Sequence, residues 1–111
     1  MKMVEIIGCY GVAKDEEAFR QYVEYWDDSN WECFDPTKEE LLTLLSNGGV
    51  FEQINDECKL LIDLAEEEII KGENILKALE IVNRTPGTES FVFGEALRKA
   101  AEYGTAVSIQ L

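Results

Sequence analysis

Histidine is absent from the 111-residue sequence. No imidazole can therefore act as general base, proton shuttle or metal ligand, and nucleophilic triads built on one are excluded. Bases are scarce as well: 10 Lys and Arg face 23 Asp and Glu, for a formal net charge of −13 and an isoelectric point near 4.2. A surface of that sign cannot neutralise phosphates, which excludes direct nucleic-acid binding and docking on anionic membranes. No apolar run approaches the roughly 20 residues of a membrane span. The opening Met1 to Gly8 is a short apolar stretch broken by Glu5, unlike the longer uncharged core of a secretory signal, so a cytoplasmic location is expected. Proline occurs only twice, and there is no low-complexity stretch, repeat or linker, so residues 1–111 read as one domain.

Three cysteines, Cys9, Cys33 and Cys58, are odd in number, widely spaced and without a CxxC pair. This pattern reads as reduced thiols in a cytosolic protein, semi-buried as small hydrophobes, with a reactive or metal-binding cysteine as the alternative and no CxxC redox or zinc pair. Cys9 and Cys33 have no His partner and few nearby cations to activate a thiol. Other chemistry is also missing. Asn47-Gly48-Gly49 has no Lys-Ser/Thr after it, so there is no phosphate loop. Asp27-Asp28-Ser29-Asn30 with Glu32 lacks the glycine and spacing of a calcium loop. Acid pairs such as Asp27/Asp28 or Glu66/Glu67 are adjacent, and adjacent helical positions point in different directions. No catalytic, cofactor or metal residue is assigned, and the chain is read as a non-enzyme.

What is present is a foldable core: 46% of residues are hydrophobic and 10% aromatic, too rich for a disordered acidic tail. Val4-Glu5-Ile6-Ile7, with Cys9, predicts a first strand over about residues 3–9. Asp15-Glu16-Glu17 opens a helix whose acids sit at the positive end of its dipole. Phe19, Tyr22, Val23 and Trp26 give it one apolar face. Asp35-Pro36 predicts a second helix start, with Thr37 and Glu40 as a competing capping box. Leu41, Leu42, Leu44 and Leu45 follow. Helical spacing continues from Phe51 to Ile70 through Ile54, Cys58, Leu61, Ile62, Ala65 and Ile69, with Asp63, Glu66, Glu67 and Glu68 toward solvent. It resumes through Ile75, Leu76, Leu79 and Val82 up to Thr85-Pro86-Gly87. Thr88-Glu89 can cap a last helix ending at Gly104, or Phe91-Val92-Phe93 can form a short strand before it. Residues 106–111 alternate with period two and predict a strand. The expected fold class is α/β: a small parallel or mixed sheet made from the N- and C-terminal strands and covered by four or five helices. Residues 31–34 and 50–54 are candidates for a further strand.

Two stretches resemble a known family. Val4-Glu5-Ile6-Ile7-Gly8 with Phe19 is similar to the first strand and helix of the barstar-like ribonuclease inhibitors. Glu95-Ala96-Leu97, Ala101-Glu102-Tyr103-Gly104 and Val107-Ser108-Ile109-Gln110-Leu111 look like their last helix and strand. The resemblance covers the chain ends only. The family's central inhibitory helix motif is not found, so no binding residue is carried over. It implies a helix-covered parallel sheet and inhibition of a basic nuclease by an acidic face.

Asp15 to Asp35 holds eight acids and one base, Arg20, for a local charge of −7, interleaved with Tyr22, Tyr25, Trp26, Trp31 and Phe34. Aromatics among acids suit a basic protein partner: the rings supply desolvated anchors and the carboxylates steer association. The structural alternative is that Tyr22 and Trp26 pack the core while the acids only solubilise. Glu24, Asp27, Asp28, Trp31, Glu32 and Asp35 are the candidate partner-binding residues, and Trp31 is included because it lies outside both apolar stripes. The expected function is an immunity- or antitoxin-type inhibitor of a cationic toxin such as a nuclease. Two alternatives stay open: a phage-type acidic nucleic-acid mimic that blocks a host defence enzyme, and a small regulatory or enzyme subunit whose acidity is incidental.

Overall fold

In a computed structural model of the chain, residues 8–25, 29–63, 67–88 and 90–111 are described. They form β1 (Cys9–Ala13), α1 (Glu16–Tyr25), β2 (Trp31–Phe34), α2 (Lys38–Leu44), α3 (Val50–Cys58), β3 (Glu67–Lys71), α4 (Glu73–Arg84), α5 (Val92–Tyr103) and β4 (Ala106–Gln110). The class is α/β, with one four-stranded sheet ordered β2-β1-β4-β3.

Every pairing in the sheet is antiparallel, which corrects the parallel or mixed sheet expected from the sequence and from the family resemblance. The terminal strands do pair, with Tyr10 opposite Ile109 and Val12 opposite Val107. Two helices, α4 and α5, lie between β3 and β4. The first carries the chain across the sheet and the second brings it back, so β4 runs opposite to β3. The first strand also lies further along than expected, over Cys9–Ala13; residues 3–7 of the expected strand fall outside the described residues.

The middle of the chain holds two strands. Residues 31–34 form one of them, whereas 50–54 are helical. The long helical pattern from Phe51 to Ile70 breaks after Cys58. There Lys59 adopts a left-handed conformation (φ 58°) as the C-cap of α3. The Asn55 side chain then clasps the loop, donating to the Ile62 carbonyl at 2.9 Å and accepting from the Ile62 N–H at 2.7 Å. Leu61, expected on the apolar face, is exposed. Ile69 and Ile70 belong to β3 and point to opposite faces of the sheet, as strand neighbours must. Ile70 enters the main core and Ile69 packs on the other side.

The main core lies between one sheet face, carrying Tyr10, Val12, Ile70, Val107 and Ile109, and the helices α2 to α5. Phe93 is its centre: its ring meets Tyr10 at 5.2 Å and Phe51 edge-on at 5.1 Å. α1 covers part of the opposite face, where Ala18 and Tyr22 pack on Ala13 and Trp31 in a second, smaller cluster. Asp15 caps α1 by accepting the Ala18 N–H at 2.8 Å. α5 stops at Gly104, whose φ of +68° terminates the helix in the left-handed region, where a side chain would be strained.

Thr37, and not Asp35, is the N-cap of α2, accepting the Glu40 N–H at 3.1 Å. The expected capping box is only half made, because the Glu40 side chain turns inward. It is 4% exposed, accepts the Tyr10 hydroxyl at 3.0 Å, and accepts the Val92 and Phe93 N–H groups at 2.8 and 3.1 Å. Glu40 is therefore the cap of α5, supplied from another helix, at the end where the dipole favours negative charge. Thr88 does not cap α5; its hydroxyl donates toward the Val82 and Thr85 carbonyls at the end of α4.

Two outcomes follow from this carboxylate. Replacing Glu40 by Ala strands one buried hydroxyl and two backbone donors, and should lower stability in urea unfolding by about 3 kcal/mol or more. Tyr10 is held protonated above its ordinary value of 10.0, first by burial and then by the Glu40 charge. Its contribution to stability is therefore complete below about pH 10 and is lost as the pH rises beyond it, where the unfolded phenol ionises and the folded one does not. Unfolding followed from neutral to alkaline pH should show this decline, and Tyr10→Phe should show a shallower one.

Candidate functional site

The acid-rich segment spans α1, the turn after it and β2. α1 exposes Val23 and Tyr25 together with Glu16, Glu17, Arg20 and Glu24. Arg20 clasps two of these acids, pairing with Glu17 and with Glu24, the latter at 2.9 Å. Hydrogen bonding to Glu17 raises the Arg20 guanidinium above its ordinary value, so its charge is secure at every relevant pH.

The candidate residues do not converge on one face. Glu24 is exposed on the last turn of α1, and Asp35 is exposed just after β2. Asp27 and Asp28 lie outside the described residues. Trp31 is a correction: it is 8% exposed and belongs to the small cluster under α1. Its ring meets Tyr22 at 5.1 Å and Phe19 at 6.2 Å, and its indole N–H donates to the Ala18 carbonyl at 3.1 Å. An apolar stripe on a helix cannot reveal this partner, because Trp31 sits on a strand, opposite Ala13. Glu32, the next residue, faces the other side of the sheet and accepts the Tyr103 hydroxyl of α5 at 3.1 Å. That bond, aided by burial, holds the Tyr103 phenol protonated above its usual range.

The sheet face under α1 is only partly covered. Beyond Trp31 lies a small cavity of about 40 Å³ lined by Cys9, Gly11, Tyr22, Trp31, Cys33, Ser108 and Gln110. The Tyr22 hydroxyl donates to Glu67, which also accepts the Gln110 amide at 3.4 Å. Two wider, contiguous grooves of about 270 and 180 Å³ share Gly72, Gly104 and Thr105. The larger is lined by apolar and small residues of α4 and α5, and the smaller adds Glu16 and Lys71.

Among the described residues no three Cys, Asp or Glu side chains converge as a metal cluster would require, and no helix is long and apolar enough to cross a membrane. The acids are instead spread over the surface: of the described ones, all but Glu32, Glu40 and Glu68 are exposed. The chain matches no protein-family model, no curated protein and no solved structure.

Sequence reasoning missed the cavity because its residues come from strands whose order was unknown. Once Gly11 is set opposite both Cys33 and Ser108, the period of two places the cavity's strand residues on one face, and α1 adds Tyr22. Burial of Trp31 carries its own test. Trp31→Ala should cost about 3–5 kcal/mol of stability in chemical unfolding, whereas Glu24→Gln and Asp35→Asn should each change it by less than about 1 kcal/mol.

Proposed function

We propose that this protein is a non-enzymatic acidic inhibitor that binds and blocks a basic protein, of the kind exemplified by immunity proteins and antitoxins that mask a cationic nuclease. The observation that carries the reading is charge: −13 over 111 residues, with nearly all of the described acids at the surface. Such a field draws a cationic partner in and raises the encounter rate by orders of magnitude. It also sets the protein in competition with nucleic acid for a phosphate-binding cleft. Several bases are engaged within the protein, Arg20 with Glu17 and Glu24, Arg84 with Glu57 and Lys99 with Glu102, yet acids outnumber bases more than two to one. The steering surface is broad, not one loop, because the described candidates are dispersed: Trp31 packs under α1, Glu32 turns toward α5, and Glu24 and Asp35 are exposed apart from both. Glu24 and Asp35 are the described acids of that set best placed to meet a partner.

Capture from a native lysate, with mass spectrometry of what is bound, supplies the partner. Stopped-flow association and an activity assay then decide. A basic partner should associate at a rate that falls about tenfold or more from low to high salt, and a one-to-one complex should abolish its activity. Glu24→Gln with Asp35→Asn should slow association further. A salt-independent rate, or a partner that stays active when saturated, overturns the reading.

A further inference from the structure

Cys9 and Cys33 stand on neighbouring antiparallel strands. Gly11 pairs with Cys33, so Cys9, two residues before Gly11, is diagonal to Cys33 on the same face. Gly11 itself has no side chain, and the Trp31 ring packs over it, 3.2 Å from where a Cβ would stand, beside the Ser108 Cβ at 3.8 Å. Diagonal positions lie about 7–8 Å apart between Cα atoms, beyond the roughly 4.4–6.8 Å of a disulfide. The span suits a two-coordinate ion instead, since metal–sulfur bonds of roughly 2.3 Å on each side put the sulfurs about 4–5 Å apart. Both cysteines line the same small cavity, and neither is in a disulfide.

A second observation points into that cavity. Ser108, on β4 opposite Gly11, lines it and is 3% exposed, and its hydroxyl has no hydrogen-bond partner. A buried hydroxyl without a partner costs free energy. A thiolate sulfur in the cavity would give it an acceptor. The Gln110 amide oxygen, 4.0 Å from the Cys9 sulfur, completes a polar wall.

We propose that this cavity is a two-thiolate site for one soft monovalent d10 cation, of which Cu(I) is the biological example, with Cys9 and Cys33 as ligands and Ser108 as a positioning residue that donates its hydroxyl hydrogen to a bound sulfur. Thiolates select such ions. A four-coordinate ion such as zinc is not served, because no third Cys, Asp or Glu joins the cluster among the described residues. The chain's negative field concentrates cations around it. Binding releases two thiol protons to solvent and forms two metal–sulfur bonds, and no electron is transferred.

The test titrates the reduced full-length protein, without oxygen, with Cu(I) against a chromogenic Cu(I) chelator, and in parallel with redox-inert Ag(I) by calorimetry. One ion per chain is expected, with native mass spectrometry showing a loaded monomer. Cys33→Ser, which changes an exposed side chain and leaves the fold intact, and Cys9→Ser should each lose the high-affinity ion, while Cys58→Ala, altered in the main core, should keep it. Ser108→Ala should keep the stoichiometry and weaken affinity about 10- to 100-fold. Retention of the tight ion by Cys33→Ser, or an ion held only between two chains, overturns the site. Unchanged affinity in Ser108→Ala overturns the role given to its hydroxyl.

Discussion

The buried carboxylate of Glu40 is the interaction on which the rest of the helical layer depends. It sits on α2, reaches the Tyr10 hydroxyl on an inner strand, and closes the first turn of α5. A charge in that position is tolerated only because its oxygens are met by three donors and by the positive end of a helix. Its position sets where α5 begins, and with it the seat of Phe93 between Tyr10 and Phe51. Helix start, aromatic core and central strand are thus registered against one another by a single side chain. Hydrophobic packing alone would allow α5 to slide along the sheet, whereas a directional carboxylate does not.

Much of the fold was legible where a local rule is strong. Gly104 ends α5, Thr37 caps α2, and the alternating residues near the C-terminus pair with the first strand. The failures are instructive because each is non-local. Ile69 fits a helical stripe as well as a strand, since a five-residue strand carries too few alternations to overrule it. The stop after Cys58 depends on Asn55 grasping Ile62, a contact that spacing does not encode. Glu40 has the spacing of a capping box, and only the arrival of α5 diverts its side chain. Parallel pairing of the terminal strands was the economical inference from one helix leading into the last strand; β1 and β4 pair antiparallel instead.

The charge of the acid-rich segment was legible in the sequence, and its geometry was not. Composition is enough to show a protein whose surface repels phosphate and attracts cations. It cannot show that Trp31 and Glu32, adjacent in sequence, leave β2 on opposite sides, one sealed under α1 and the other bonded to α5. The same alternation gathers Cys9, Cys33 and Ser108, which are far apart in sequence and carry no motif. Anchoring of α1 also divides its aromatics: Tyr22 turns inward, and Tyr25 remains at the surface.

The order of the strands has a consequence for synthesis. The two inner strands, β1 and β4, come from opposite ends of the described chain, with Cys9 opposite Gln110. β1 and β2 can form a hairpin-like pair early, but among the described residues β3 has no neighbour in the sheet except β4. While β4 is still within the ribosome, β3 has no strand to join and the main core lacks one of its walls. Completion of the sheet therefore waits for β4, and pairing β1 with β4 closes a loop that spans nearly all of the described residues, which is the slow kind of step in folding. Until then, the acidic surface that defines the mature protein also keeps the unfinished chains apart, by mutual repulsion.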